Sequence, residues 1–191
     1  MGPVSNVQVF GLRDSVKASK YPMSTNIFQL TDTITENTWA LAKSPTGEGH
    51  DQFLTGIIVQ FDLRFSIKAW VEAERYHFLD FVSSQSTMHR ILKFDLDNQF
   101  NEYVDDRIKS VLDEIIGEYV EGDKESYLRV LYNVPTGFML TARMTTNYRQ
   151  LKTIYRQRKA HRLPEWRSFC EWIETLPYSE MITGVKKNAT D

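Results

Sequence analysis

The sequence predicts one α+β domain in which helix outweighs strand, and three observations carry that expectation. Ile57, Val59, Phe61, Leu63 and Phe65 recur at period two, the alternation of a half-buried strand. Later in the chain, apolar residues recur instead at intervals of three and four, the spacing of amphipathic helices. No linker, repeat or low-complexity tract divides the 191 residues, so their 41% of hydrophobic residues serve one core. A chain of this length buries roughly 70% of its unfolded surface and needs no disulfide or metal staple. The domain is placed at residues 1–180, with 181–191 as a polar tail.

The opening Met1-Gly2-Pro3 reads as an unstructured end rather than a targeting signal. Val7 to Phe10 alternates like a short strand, which Gly11 ends. A modest helix is expected around Trp39 to Ala42, followed by a turn-rich loop from Ser44 to Gly49. The main strand spans Phe53 to Phe65. Ser66 is positioned to cap a helix running from Ile67 to Phe81, with Ile67, Trp70, Val71, Phe78, Phe81 and Val82 along one face and Glu74 in the middle of it.

A second helix is expected from Asn101 to Tyr119, on the stripe Val104, Ile108, Val111, Leu112, Ile115 and Tyr119. Ser126 to Leu131 adds a helical turn, stopped before Pro135. Phe138 to Thr146 reads as extended, and Asn147 can cap a helix running to Lys159. Pro164 suits the first turn of a last helix carrying Trp166, Phe169, Cys170, Ile173 and Leu176.

Composition narrows the function classes. Cys170 is the only cysteine, so no internal disulfide can form. No apolar run approaches the roughly 20 residues that cross a bilayer, and no cleavable signal is evident, so a cytoplasmic protein without membrane contact is expected. The sequon Asn188-Ala189-Thr190 sits in the polar tail and carries no meaning there. A net charge of −2 excludes a globally basic nucleic-acid binder.

The charge is nevertheless uneven. Between Arg143 and Arg167 there are eight Lys or Arg residues and one acid, Glu165, an asymmetry that points to an anionic ligand or partner. On a helix from Asn147, residues Arg149, Lys152, Arg156 and Lys159 share one side. Arg158 falls on the other, with Leu151, Ile154 and Tyr155. A guanidinium turned inward keeps its charge and must meet a carboxylate or a bound anion. Glu74 is one candidate partner and a ligand oxygen or phosphate the other; composition alone leaves the two equal. Tyr148, Tyr155 and Trp166 interleave with the basic residues in the manner of base-stacking platforms, which keeps a nucleotide- or nucleic-acid-binding module as the alternative reading.

Other chemistry is missing. His50, His77, His89 and His161 form no zinc-ligand spacing, and there is no phosphate-cradling glycine loop, nucleophile elbow or spaced carboxylate pair. Cys170 lies on an apolar stripe, where a cysteine is a small core residue. An enzyme of this composition positions a cofactor and leaves the chemistry to it.

The run Asn147-Tyr148-Arg149-Gln150-Leu151, then Arg158 eleven residues after the Asn, then Leu163-Pro164-Glu165-Trp166, resembles the flavin-dependent thymidylate synthases, in a divergent and phage-type form. Arg129-Val130-Leu131 with Pro135 looks like that family's arginine before a Leu-Pro pair. Gly49-His50 and the strand and helix after it look like its Gly-His, strand and helix. The family's Arg-His-Arg-x-x-Ser signature falls on Arg75-Tyr76-His77, with Asp80 for the first Ser and Gln85 for the second. A one-residue insertion puts Ser86 there and Met88 on the final Arg, and a third alignment starts at Met88-His89-Arg90.

The resemblance implies a single mixed α/β domain, helix-rich with an antiparallel sheet, assembling into a homotetramer whose sites are shared between subunits. It implies reductive methylation of dUMP to dTMP, with methylenetetrahydrofolate as carbon donor, NADPH as reductant and FAD as hydride carrier. Arg158 would bind the uracil and favour its deprotonated form. Arg75, Tyr76, His77, Asn147, Arg149 and Thr153 would lie at the FAD. Glu72, Arg75, Ser84, Gln85, Ser86, Arg129 and Arg158 would hold dUMP. Tyr76 stands where the family has a histidine and Thr153 where it has an asparagine.

Overall fold

The computed structural model describes residues 2–185. Strand β1 (Val4–Phe10) ends at Gly11, whose φ of 71° and close approach to Gly56 O leave no room for a Cβ. Helices α1 (Leu12–Ala18) and α2 (Glu36–Lys43) follow, the second opened by a reciprocal Thr35–Thr38 cap. Strand β2 (Ile58–Ser66) runs directly into α3 (Ile67–Ala73), and Ser66 Oγ caps that helix by accepting from Ala69 N–H.

Next come β3 (Asp80–Ser84), α4 (Thr87–Arg90), α5 (Asp106–Gly117) and α6 (Lys124–Tyr132). Strand β4 (Met139–Asn147) leads without a loop into α7 (Tyr148–Arg158), whose first turn is capped by Asn147 Oδ1 accepting from Gln150 N–H at 2.9 Å. Helices α8 (Pro164–Ile173) and α9 (Glu180–Thr183) end the fold.

The four strands form one antiparallel sheet in the order β1-β2-β4-β3. Register pairs Phe61 with Met144 and Leu63 with Ala142, so the apolar sets of both central strands share one face. Val59, Phe61, Leu63 and Phe65 are fully buried there, beneath Trp166, Phe169 and Ile173 of α8 and Leu151 and Ile154 of α7. Phe65 meets Trp166 edge-on at 4.9 Å, a contact that adds to the area both bury. A smaller cluster of Ile91, Ile115, Val130 and Phe138 binds α5 and α6 to the chain around them.

Several sequence expectations are corrected. The helix begun at Ile67 ends at Ala73 rather than Phe81. Tyr76 N–H bonds back three residues to Ala73 O, Phe78 adopts φ 64°, and the chain turns to pair with β4. The open ladder of β4 offers more to Phe81-Val82-Ser83-Ser84 than helix does, since Phe81 and Val82 favour extended backbone. Glu74, Phe78, Phe81 and Val82 are exposed as a result. The expected strand from Phe53 begins only at Ile58, because Gln52–Gly56 tightens into a 3₁₀ turn.

The expected helix from Asn101 starts at Asp106. Asp105 caps it, while Asn101 N–H is held by Gly137 O. Pro3 is not loose, since its carbonyl accepts from Arg64 N–H at 2.8 Å. The core also passes residue 180, with Met181 and Ile182 buried in it. The sequon at Asn188, the rest of the expected tail and Met1 lie outside the described residues. Among those described, no helix is long and apolar enough to cross a membrane.

Candidate functional site

Helix α7 carries its charged residues on unequal sides. Arg158, at its last turn, is only 4% exposed. Its Nε donates to Tyr76 Oη at 2.6 Å and its Nη1 to Glu72 Oε2 at 2.8 Å. The guanidinium lies over the Trp166 ring at 4.8 Å and beside Tyr76 at 5.4 Å. Nη2 is buried and has no hydrogen-bond partner among the described residues. The carboxylate that meets Arg158 is thus Glu72, two residues before the expected Glu74 and so on another side of α3; ending that helix at Ala73 turns Glu74 outward.

His161 closes the arrangement. Its Nε2 lies 2.6 Å from Arg158 Nη1 and 3.2 Å from Glu72 Oε2, and its Nδ1 accepts from Leu163 N–H at 3.2 Å. With Nδ1 accepting, the ring proton sits on Nε2 and serves Glu72. In the opposite tautomer Nε2 accepts from Arg158, and the Leu163 amide loses its acceptor. Burial, and then the Arg158 charge, lowers the His161 pKa below its ordinary 6.5, so the neutral ring is favoured.

In front of this group opens a cleft of about 630 Å³, lined by Arg75, Tyr76, His77, Phe78, Gln150, Thr153, Gln157 and Arg158. It gathers five of the expected site residues: Arg75, Tyr76, His77, Thr153 and Arg158. No carboxylate is among its lining residues, whereas the chain as a whole has more acids than bases. A cavity of cationic, amide and aromatic groups suits an anionic, planar, hydrogen-bonding ligand.

The other expected residues sit apart from the cleft lining. Glu72 stands behind Arg158, also within 3.7 Å of Lys68. Asn147 is engaged as the α7 cap. Arg149 Nε donates to Asp51 Oδ1 at 3.0 Å, and Lys152 reaches the second oxygen of the same carboxylate. Lys152, placed with the solvent-facing bases by its spacing, is 5% exposed, because fully buried Asp51 requires a cation. Ser84 pairs with Ala142 along β3 and β4, and Gln85 extends that ladder by bonding Thr141 through both backbone and side chain. Ser86 begins α4. Arg129 is exposed on α6 and pairs with Glu118.

The residues missed in sequence were Phe78, Gln150, Gln157, His161 and Asp51. Gln157 and His161 flank Arg158 at intervals of one and three, so an inward arginine at the end of a helix was itself the available signal. Asp51 had none beyond its place beside Gly49-His50. The stacking-platform reading fails on burial. Tyr148 and Trp166 are fully buried and Tyr155 is 8% exposed, with the tyrosine hydroxyls held by Pro177 O and Glu174 at 2.6 Å each.

No protein-family model matches the sequence, and no curated protein sequence matches it significantly. Solved structures do match in fold. A flavin-dependent thymidylate synthase from Helicobacter pylori, complexed with FAD and dUMP, superposes with a TM-score of 0.74 at 14% identity over 96% of this chain and 100% of its own. A UMP/dUMP methylase from Streptomyces cacaoi, bound to 5-bromo-UMP, does so with a TM-score of 0.60 at 14% identity, over 96% of each chain. With the antiparallel sheet, its helical cover and near-complete coverage of both partners, the chain has the fold of the flavin-dependent thymidylate synthases.

Proposed function

We propose that this chain is a flavin-dependent enzyme that methylates a uracil nucleotide, dUMP in the first instance, to the thymine product. The observation that carries the reading is Arg158: a buried guanidinium with one unpartnered amino group, in the wall of a cleft that holds no carboxylate. A buried donor without a partner costs about 1–3 kcal/mol, and an electron-rich ligand atom removes that cost. The solved structures of the same fold support the choice of ligand, since one was complexed with FAD and dUMP and another with 5-bromo-UMP.

The residues fit the proposed cofactor and substrate. Arg75, His77, Gln150 and Thr153 supply donors and acceptors around the cleft, Gln157 accepts from Tyr76, and Phe78 supplies an aromatic wall. FAD, when bound, supplies hydride and one-carbon transfer chemistry, with NADPH and methylenetetrahydrofolate as co-substrates. The protein's part is electrostatic. Arg158 opposes negative charge that develops on the pyrimidine, and its buried setting makes that opposition stronger than in water. Glu72 and Tyr76 hold it from behind. In this reading a homotetramer brings Arg129 and the Ser84–Ser86 segment of neighbouring copies towards each cleft.

The test is a titration of FAD, with and without dUMP, followed by flavin fluorescence, and then a turnover assay. Tight FAD binding strengthened by dUMP, with turnover abolished in Arg158→Ala, is the expected result. Retained turnover in Arg158→Ala removes the role of that residue. Binding of neither ligand removes the reading.

A further inference from the structure

A guanidinium carries five N–H donors in one plane, and a planar anion such as phosphate or carboxylate is gripped by two parallel ones. Around Arg158 those donors are unequally committed. Nε is taken by Tyr76 Oη at 2.6 Å, and Nη1 is crowded by Glu72 Oε2 at 2.8 Å and His161 Nε2 at 2.6 Å. Among the described residues only Nη2 is without a partner. Each forked edge pairs Nη2 with one of the committed nitrogens, so no fork is available to a ligand.

The commitment of Nε is directional. Tyr76 Oη lies 2.9 Å from Gln157 Oε1 as well as 2.6 Å from Arg158 Nε. Arginine can only donate, so the hydroxyl accepts there and sends its single proton to Gln157. The ring itself is 7% exposed and stands edge-on to Trp166 at 5.7 Å.

We propose that Tyr76 is a positioning residue acting through Arg158: with Gln157 it holds Nε, so that Nη2 is the one nitrogen Arg158 has left to offer a ligand that displaces the side chains covering it. Resting on the reading of the cleft as a uracil-nucleotide site, this assigns Arg158 to a single ring oxygen or nitrogen of the pyrimidine. The phosphate then falls to Arg75, the other arginine of the cleft lining. Tyr76 thereby selects which end of the nucleotide the buried guanidinium serves.

Two variants separate this role from mere packing. Tyr76→Phe keeps the ring and removes the hydroxyl; Gln157→Leu alters an exposed residue and leaves the hydroxyl unoriented. Calorimetry with dUMP and with deoxyribose 5-phosphate, a probe lacking the base, reads the two ends of the nucleotide. The expected result is dUMP binding weakened about tenfold in Tyr76→Phe, and less in Gln157→Leu, with deoxyribose 5-phosphate affinity unchanged in both. The ultraviolet difference spectrum should also show bound dUMP losing its ring proton at higher pH in Tyr76→Phe than in the unaltered chain.

Equal weakening of both probes, or of neither, overturns the proposal. A ligand-free readout keeps its failure distinct from that of the cleft reading. The Arg158 Nε–H resonance should exchange slowly with water in the unaltered chain and quickly in Tyr76→Phe. Slow exchange in both overturns the positioning role whatever the ligand, whereas failure of the unaltered chain to bind dUMP overturns the nucleotide reading and the ligand assignment built on it.

Discussion

Asp51 Oδ2 lies 2.8 Å from Lys152 Nζ, and the two side chains form a buried ion pair under the loop after α2. The ammonium also donates to Ala42 O at 2.7 Å and Ser44 O at 2.6 Å, so all three of its protons are used. Arg149 takes the other Asp51 oxygen. One carboxylate thereby fastens α7 to the segment from Ala42 to Asp51.

Removing that carboxylate strands a buried cation. Asp51→Ala should lower stability by about 3–5 kcal/mol, measured by urea denaturation. Lys152→Met leaves the Asp51 carboxylate to Arg149 alone and also removes the donor to Ala42 O and Ser44 O, so it should lower stability by a similar amount. A small loss in Asp51→Ala beside a large one in Lys152→Met would show that the carbonyl contacts, rather than the ion pair, hold the loop.

Phe78 sits at φ 64°, where a side chain is strained, and is 64% exposed, so its ring contributes little burial. Phe78→Gly should leave stability unchanged or raise it by up to about 1 kcal/mol, and Phe78→Val should lower it by about 1–2 kcal/mol. Thermal unfolding of the two variants compares them directly.

The lowered pKa of His161 sets a pH dependence. Below about pH 6.5 the unfolded chain takes up a proton at this residue that the folded chain resists, so the stability contributed by the neutral ring is full above that pH. It is lost as pH falls from there through the folded pKa. The Tm of the unaltered chain should therefore drop more steeply on acidification than that of His161→Gln. Parallel curves would remove the effect.

Burial pushes the Cys170 thiol pKa up to about 12. At pH 8 only about one molecule in ten thousand then carries the thiolate. A disulfide reagent should react with the folded chain slowly and completely on unfolding, with a rate set by the opening of the core. Fast labelling of the native chain would contradict the packing of α8 against the sheet.

What was legible in the sequence followed from strong local patterns. Period two over Ile57 to Phe65, Asn147 before a helix and Pro164 in a first turn each had one physical solution, and the structure adopts it. The inward direction of Arg158 was readable because helical spacing places it among Leu151, Ile154 and Tyr155. Its partner was not. Choosing between Glu72 and Glu74 depends on where α3 stops, and that depends on β4 offering a free edge more than sixty residues later in the chain. The same holds for Lys152. Helical position put it with the solvent-facing bases, and only the folded path of the loop brings Asp51 beneath it. Patterns within one element were readable; pairings between elements far apart in sequence were not.

The order of the strands also bears on how the chain is made. The central pair joins a strand that ends at Ser66 to one that begins at Met139. During synthesis β2 therefore emerges well before its principal neighbour, with Phe61, Leu63 and Phe65 uncovered and one edge unpaired. Contacts this remote slow folding, and bare apolar strands invite association between nascent chains. Cut short before Met139, the protein should accumulate in aggregates. Extended through α8, it should become the shortest product able to shield its sheet.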